Sequence, residues 1–496
     1  MISIKRNTAL NLMGTLVPTA VSLVILPVYL GAIGEARYGI LAIAWLLLGY
    51  FGLFDLGLGR AAAQRIATLQ DADDLARART FWTAAALNLG FGLIGGLIVW
   101  PVAAWYFRAV MVVDDALRAE MLGAVFWLAL ALPMATVLSV LNGALQGRSK
   151  FLALNVVSLL GTLLFQLAPL GVALGWGADL RLILPAVLAA RAVTLAILLG
   201  LCLRHVAGWR IEPPARAEAW RLLGFGGWVT VSSIVGPLMV TFDRFVIGAL
   251  VNAQAVTHYT VPFQLAQRST VLAGALSGAL FPRLAMAGRA EELRLGVAAI
   301  RGLVALVTPP ILAAILLAEP FLRWWLSPAI AVHSAPVAHV LLLGFWINGL
   351  ALVPYTLLQA GGQPKVVAKL HLLEVVPYLG LLYLSVTYFG LVGAAAAFSL
   401  RTLVDFLFLV QQARLLGHTV SVTIIPGAML GCAMLISSTV IFGDSAWIWS
   451  ASPLMVSSLF WSWRHARRDF PRISSFSFTP RVRAEQSRSN DAGGET

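Results

Sequence analysis

The chain has 496 residues, 59% of them hydrophobic and 11% charged, with a net charge of +13 and a mean hydropathy of +0.86. A soluble domain is nearer half apolar and a quarter charged, so this length is spent on membrane spans rather than on separate globular domains. The positive charge sits in short loops and in the C-terminal stretch, a topology pattern that argues against nucleic acid, and Cys202 and Cys432, both at or in apolar runs, give neither a zinc spacing nor a disulfide framework.

Lys5 and Arg6 precede the first apolar run, as in a signal peptide. That run, from Ala9 to about Ile33, is too long for a signal's apolar region and more spans follow, so an uncleaved first helix is expected. A bilayer core about 30 Å thick takes roughly 20 apolar residues as helix. Charge-poor runs of that kind fall at 10–30, 38–58, 81–106, 121–143, 152–175, 182–203, 223–250, 257–281, 296–318, 336–358, 370–389, 391–411, 423–442 and 446–463. The fold class is therefore an all-α polytopic membrane protein of about 14 transmembrane helices. Only Gly390 and its neighbours separate the eleventh span from the twelfth. Span two ends on FDLGLGR, residues 54–60, where Asp55 closes about seventeen uncharged residues and two glycines follow.

With the N-terminus inside, the inner segments hold about 25 of the 35 Lys and Arg and the outer ones about five. Both termini are then cytoplasmic, in the cytoplasmic (inner) membrane of a cell that has one. No outer loop exceeds about 17 residues, which leaves no room for an extracytoplasmic catalytic domain. From Arg464 onward the chain is basic, then Ser-rich, and a disordered cytoplasmic tail is expected over 464–496.

An internal repeat runs through the spans. LNGALQGRSK (141–150) ends span four and TLLQAGGQPK (356–365) ends span ten, with Gln146 and Gln359 offset by 213. Pro18 and Pro237 are offset by 219, RAAAQR (60–65) and GALFPR (278–283) by 218, and Arg191 and Arg401 by 210. Two copies of one six-span unit follow, 1–205 and 206–415, related by an axis along the membrane normal. Two additional spans occupy 416–463.

Depth ranks the charged residues, since an arginine at the bilayer centre costs roughly 2.5–3.5 kcal/mol on insertion scales while one near a span end snorkels. Arg268 lies about eleven residues into span eight, with Gln264 one turn away and no acid on its own helix. Arg191 is as deep in span six, and Arg401 in span twelve has Asp405 four residues on, a spacing that favours a pair. Arg244 follows Asp243 about two turns from the end of span seven; adjacent residues do not face each other on a helix, so they are not an obvious pair. Each has a plain structural alternative: an ion pair for Arg401–Asp405, an interhelical bond for Arg191, and Arg60 or Arg65 as partner for Asp55. Arg268 is the hardest to explain that way. Guanidinium forks match phosphate oxygens and keep their charge at any working pH. Deep basic residues thus fit a diphosphate better than a cationic drug, which needs an acid-lined cavity.

N-x-x-G at Asn11–Gly14, PVYLGAIGEARYG (27–39), FDLGLGRAAAQR (54–65), LQGRSK (145–150), FGGWVTVSSIVGPLMVTFDRFVIG (225–248) and LQAGGQPK (358–365) together resemble one family. It is the polysaccharide-transport (O-antigen flippase, Wzx-type) family of the multidrug/oligosaccharidyl-lipid/polysaccharide exporter superfamily. The resemblance covers most of the chain and says nothing of the sugar. It implies two six-helix lobes around a central cavity lined mostly by helices one, two, seven and eight, and translocation of a polyprenyl-diphosphate-linked oligosaccharide to the outer leaflet. It places Arg268, Arg244 and Asp55 on cavity helices, raises Arg268 and Arg244 as diphosphate ligands, and sets Arg191 and Arg401 further back. Asp55, with Asp243 and Asp405, becomes a gating or coupling candidate. The resemblance also implies drive by an H+ or Na+ gradient or the membrane potential. Without a G-x-x-x-x-G-K-[ST] loop, direct use of ATP is not expected, nor is any cofactor. Expected partners are the lipid-linked oligosaccharide, membrane lipids and polysaccharide polymerase or export machinery. The competing readings are a peptidoglycan-precursor flippase, a multidrug exporter of the same superfamily, and, from another class, a membrane polysaccharide polymerase.

Overall fold

A computed structural model describes residues 4–50, 55, 57–69 and 73–474, with backbone alone for 4–16, 47–50, 225–238, 240, 364, 466 and 468–474. Asn11–Gly14, Phe54 and most of the 225–248 motif therefore contribute no described side chain. The helices are α1 (Ile4–Tyr50), α2 (Leu58–Thr68), α3 (Asp74–Trp105), α4 (Asp115–Gly147), α5 (Phe151–Gly175), α6 (Leu180–Cys202) and α7 (Arg216–Leu250). They continue as α8 (Ala253–Gln267), α9 (Thr270–Met286), α10 (Arg289–Trp325), α11 (Pro328–Ala360), α12 (Pro364–Gln412), α13 (Leu416–Thr439) and α14 (Ser445–Ser474). There is no strand among the described residues, as a lipid-facing backbone requires when it must satisfy its own hydrogen bonds. α14 runs past 463, and residues 475–496 of the expected tail lie outside those described.

Helices and spans do not match one to one. α1 has 47 residues, about 70 Å at 1.5 Å per residue, more than twice a bilayer core. Its backbone breaks at Gly34, φ +79° and ψ 164°, a conformation that an L side chain rarely adopts. α12, with 49 residues, breaks in the same way at Gly390, φ +58° and ψ −136°. A Cβ at either glycine would meet nothing within 4 Å, so the backbone angle, not crowding, requires glycine there. Each long helix is thus two spans about a kink, and the weakest sequence boundary falls on Gly390. Ten stretches among the described residues are long and apolar enough to cross a membrane, α1 and α12 each counted once and α8 joined to α9. Counting α1 and α12 twice gives twelve. α7, much of whose middle has no described side chain, and α14 bring the total to fourteen.

The repeat reappears as backbone geometry. At the end of α4, Ser149 N donates to Gln146 O at 2.8 Å and Lys150 N to Leu145 O at 3.0 Å. At the end of α11, Gly362 N donates to Gln359 O at 3.1 Å and Gln363 N to Leu358 O at 2.9 Å. Ser149 and Gly362 both have positive φ, +57° and +74°. Every pair is offset by 213, so the two QGRSK-like segments are one Schellman-type helix stop made twice. Arginine stacking repeats too. Arg191 lies over Phe165 at 5.4 Å and Arg401 over Tyr378 at 5.4 Å, offsets of 210 and 213.

The chain forms two compact units. One comprises Met1–Arg268, Leu317–Gly344 and Lys365–Arg401, the other Ser269–Leu316, Phe345–Pro364 and Thr402–Thr496. In the first, α3 packs on α4, α2 on α4, α5 on α6 and α1 on α8. Lipid tails are as apolar as leucine, so close approach and polar contacts hold such helices together. Asn88 Nδ2 donates to Thr136 O at 2.9 Å and Thr136 Oγ1 to Asn88 O at 2.8 Å, tying α3 to α4. A Cβ on Gly143 would meet Gly59 O at 2.0 Å; the second glycine of DLGLG therefore sets the α2–α4 approach. In the second unit α13 packs on α14, and Trp346 donates its indole N–H to Thr308 Oγ1 at 3.1 Å.

Candidate functional site

Span eight tightens into a turn where its arginine stands, with Arg268 and Ser269 still at right-handed helical angles (φ −63°, ψ −22° and φ −62°, ψ −24°). α8 ends at Gln267, Arg268 and Ser269 form a turn, and α9 begins at Thr270. Arg268 is half-buried. Its Nη2 donates to Ser22 Oγ of α1 at 2.9 Å. Ser22 spends its own hydroxyl proton on Thr19 O, at 2.8 Å, which leaves a lone pair for the guanidinium. The buried Nε of Arg268 has no partner, and no carboxylate pairs with this arginine among the described residues. Gln264 lies one turn back on α8, also half-buried.

The α1 segment facing Arg268 is held by an unusual contact. Pro27 has no N–H, so the carbonyl four residues before it, Leu23 O, lacks its helical donor. Trp325 supplies one, its indole N–H reaching Leu23 O at 3.1 Å. Sequence reasoning missed Ser22 and Trp325; the proline at 27 was the available sign that a carbonyl near mid-span would need an outside partner.

Arg244 has a different environment. Asp243 Oδ1 accepts from Arg244 N at 2.8 Å and from Arg244 Nη1 at 2.7 Å, while Tyr259 donates to Asp243 Oδ2 at 2.7 Å. The guanidinium lies 3.8 Å from the centre of the Phe263 ring, and the Arg244 and Asp243 side chains are 1% and 0% exposed. The expectation that sequence neighbours would not pair is corrected here. The carboxylate folds back onto the next N–H, and the long arginine side chain curls round to meet it. Arg244 is thus neutralised in place.

Arg191 and Arg401 rest on the rings of Phe165 and Tyr378. The i,i+4 spacing does not produce an ion pair between Arg401 and Asp405 among the described residues; Asp405 instead lies within electrostatic reach of Tyr355, whose hydroxyl accepts from Gln359 Nε2 at 2.7 Å. A ring face offers the guanidinium a partner without a second charge to desolvate.

Asp55 pairs with neither Arg60 nor Arg65. Its carboxylate accepts from Gly57 N at 2.8 Å and Gly59 N at 3.3 Å, and from the Ser139 hydroxyl of α4. It caps the start of α2, as a short acidic side chain does where a helix has orphan N–H groups. Arg65 goes to Glu218 in the first turn of α7, Nε to Oε1 at 2.7 Å, where Thr80 Oγ1 also donates at 3.0 Å. Burial pushes the Glu218 carboxyl up, but the hydrogen bonds from Arg65 and Thr80 and the charges of Arg65 and Arg221 outweigh it and hold it below the usual range.

The profile of the polysaccharide biosynthesis protein family matches residues 4–287. A Shigella flexneri protein assigned as an O-antigen transporter is 28% identical over 410 residues, 82% of this chain and 97% of its own length. Among solved structures, the lipid II flippase MurJ in an inward closed conformation matches 91% of this chain and 98% of its own, at TM-score 0.67 and 13% identity. An inward-facing multidrug resistance transporter of the MATE family and MOP superfamily matches 80% of this chain and 96% of its own, at TM-score 0.64 and 16% identity. At such identities the likeness to these structures is one of fold.

Proposed function

Because this chain belongs to the polysaccharide biosynthesis protein family and is a membrane transporter of the MOP superfamily rather than an enzyme, we propose that it flips a polyprenyl-diphosphate-linked oligosaccharide from the inner to the outer leaflet. The proposal includes alternating access between two six-helix lobes, 1–205 and 206–415. It places both termini in the cytoplasm of a cytoplasmic (inner) membrane, as the loop charges favour. The Shigella flexneri relative supports an O-antigen-type cargo.

One observation carries the reading: the side chain of Arg268, in the turn between α8 and α9, holds only a serine hydroxyl among the described residues. A permanent cation at mid-membrane with hydrogen-bonding capacity left over suits a diphosphate, which offers several anionic oxygens to one planar fork. Gln264 stands where its amide could serve a neighbouring phosphate or sugar oxygen. A cation exporter would need available carboxylates, and Asp55 and Asp243 are already bonded.

Vesicle sidedness tests this. Cells lacking the gene, with lipid-linked saccharides labelled, are expected to accumulate them on the inner leaflet. The intact gene should restore outer-leaflet labelling and Arg268→Ala should not. Normal sidedness in the deletion strain, with unpolymerised units outside, would assign the protein to a later step and defeat the proposal.

A further inference from the structure

Glu35 is the first residue after the Gly34 break of α1. It lies on the wall of a cavity of about 600 Å³ that is also lined by Arg37, Asp114, Gln254 and Ser327. Two segments converge on Glu35. From α8, His258 Nε2 approaches Glu35 Oε2 at 3.0 Å, Gln254 Nε2 donates to the same oxygen, and Thr257 Oγ1 donates to Glu35 O at 2.6 Å. From α11, the His333 ring stacks on the His258 ring, centroids 4.9 Å apart and planes 12° apart. None of these groups has a part in the Arg268 site.

The hydrogen bonds assign the tautomers. A carboxylate only accepts, so His258 carries hydrogen on Nε2 and its basic nitrogen is Nδ1. His333 Nδ1 faces Ala329 O at 3.0 Å, and a carbonyl only accepts, so the basic nitrogen of His333 is Nε2. His258 is buried, 5% exposed; His333 is exposed. Among the described residues the charged or titratable groups facing His258 are Glu35 from α1 and His333 from α11, and α8 itself contributes the neutral Gln254 and Thr257. Arg37, the other cation on this wall, is held by Glu120 at 2.5 Å and adjoined by Asp114 and Asp179.

We propose that Glu35, His258 and His333 form a proton-binding latch that joins the kink of α1 to α8 and α11 and lets go of α11 when protonated. One proton on His258 turns its hydrogen bond to Glu35 into an imidazolium–carboxylate pair, and neutral His333 still stacks on it. A second proton, on His333 Nε2, sets two parallel imidazolium rings face to face, and the stack separates. The loops around this cavity are those that the charge asymmetry places outside the cytoplasm, so external acid is what releases the latch. The link to a transport cycle rests on the transporter reading above; the latch itself does not.

The test uses the full chain in lipid nanodiscs and needs no sugar. Cys432 is exposed and Cys202 buried, so Cys432→Ser removes the accessible native thiol. Val28→Cys and Val332→Cys, at exposed positions of α1 and α11, carry spin labels for distance measurement from pH 8 to pH 5. The expected result is a longer or broader distance at acid pH than at pH 8. His333→Gln should abolish it, and Glu35→Gln should lower its midpoint by about one pH unit. An unchanged distance across the range, or the same transition in His333→Gln, would overturn the latch. Because His333 is exposed, its glutamine variant keeps the test decisive even if His258 variants misfold. Normal sidedness of lipid-linked saccharides in the deletion strain, with the transition intact, would count against the flippase reading alone.

Discussion

Arg244 and Arg268 sit on consecutive spans, and both would be costly as bare charges in a membrane. Arg244 is fully enclosed, with an aspartate bonded to its own N–H and guanidinium, a tyrosine completing that aspartate, and a phenylalanine ring beneath. Arg268 is half-buried in the turn between α8 and α9, and its guanidinium bonds one hydroxyl among the described residues. The first charge is paired with a carboxylate inside the fold; the second has no carboxylate partner among the described residues. The family resemblance alone raised them together. Partner chemistry separates them, and Arg191 and Arg401 differ from both in lying over aromatic rings, with Nε and Nη1 of Arg401 buried without a hydrogen-bond partner.

The contrast breaks first at Arg244. Arg244→Met leaves Asp243 buried without its cation, which costs about 3–5 kcal/mol, and should show as a large fall in thermal stability of the purified protein. Asp243→Asn combined with Arg244→Met should recover much of that loss. A stable, transport-dead Arg244→Met would move Arg244 into the binding site and collapse the distinction. Arg268→Ala should do the reverse, with normal membrane levels, little change in melting temperature and outer-leaflet delivery down by about a hundredfold. Transport at wild-type rate by that variant would remove Arg268 from the site.

Asp55 sharpens the comparison at a smaller scale. As a cap it should tolerate Asp55→Asn, whose amide oxygen still accepts from Gly57, whereas Asp55→Ala should cost about 1 kcal/mol. Transport abolished in the asparagine variant at normal protein level would make the charge, not the cap, its role. The smallest effect concerns Glu218. Its lowered folded pKa stabilises the protein above the ordinary carboxylate range, and that contribution is lost as pH falls through the folded value. Glu218→Gln should therefore melt about 2 °C lower at pH 7, and the gap should close as pH falls below the ordinary carboxylate range. A gap that persists in acid would mean that packing, not ionisation, matters there.

Much of the fold was legible because a bilayer makes the pattern coarse: long apolar runs, short basic loops and a glycine where two spans meet without a loop. The offset of 213 between Gln146 and Gln359 returned as the same pair of helix-ending hydrogen bonds, since a repeat in turn chemistry is local. The site was less legible. The Asp243–Arg244 pair defied the rule that helix neighbours point apart, because that rule concerns Cβ directions and not the reach of an arginine. The Arg401–Asp405 spacing looked like an ion pair and gave instead an arginine on Tyr378, because a nearby ring on the preceding span competes for the guanidinium.

What the sequence alone determined is what depends on neighbours in the chain: the class, the spans, the twice-made helix stop, the glycine boundary at Gly390 and the order of the charges along each span. What only the tertiary structure decided is which charge is already answered. Ser22 lies 246 residues from Arg268 and Trp325 lies 302 from Leu23. Those contacts arise from helices meeting in space, and no spacing along the chain encodes them.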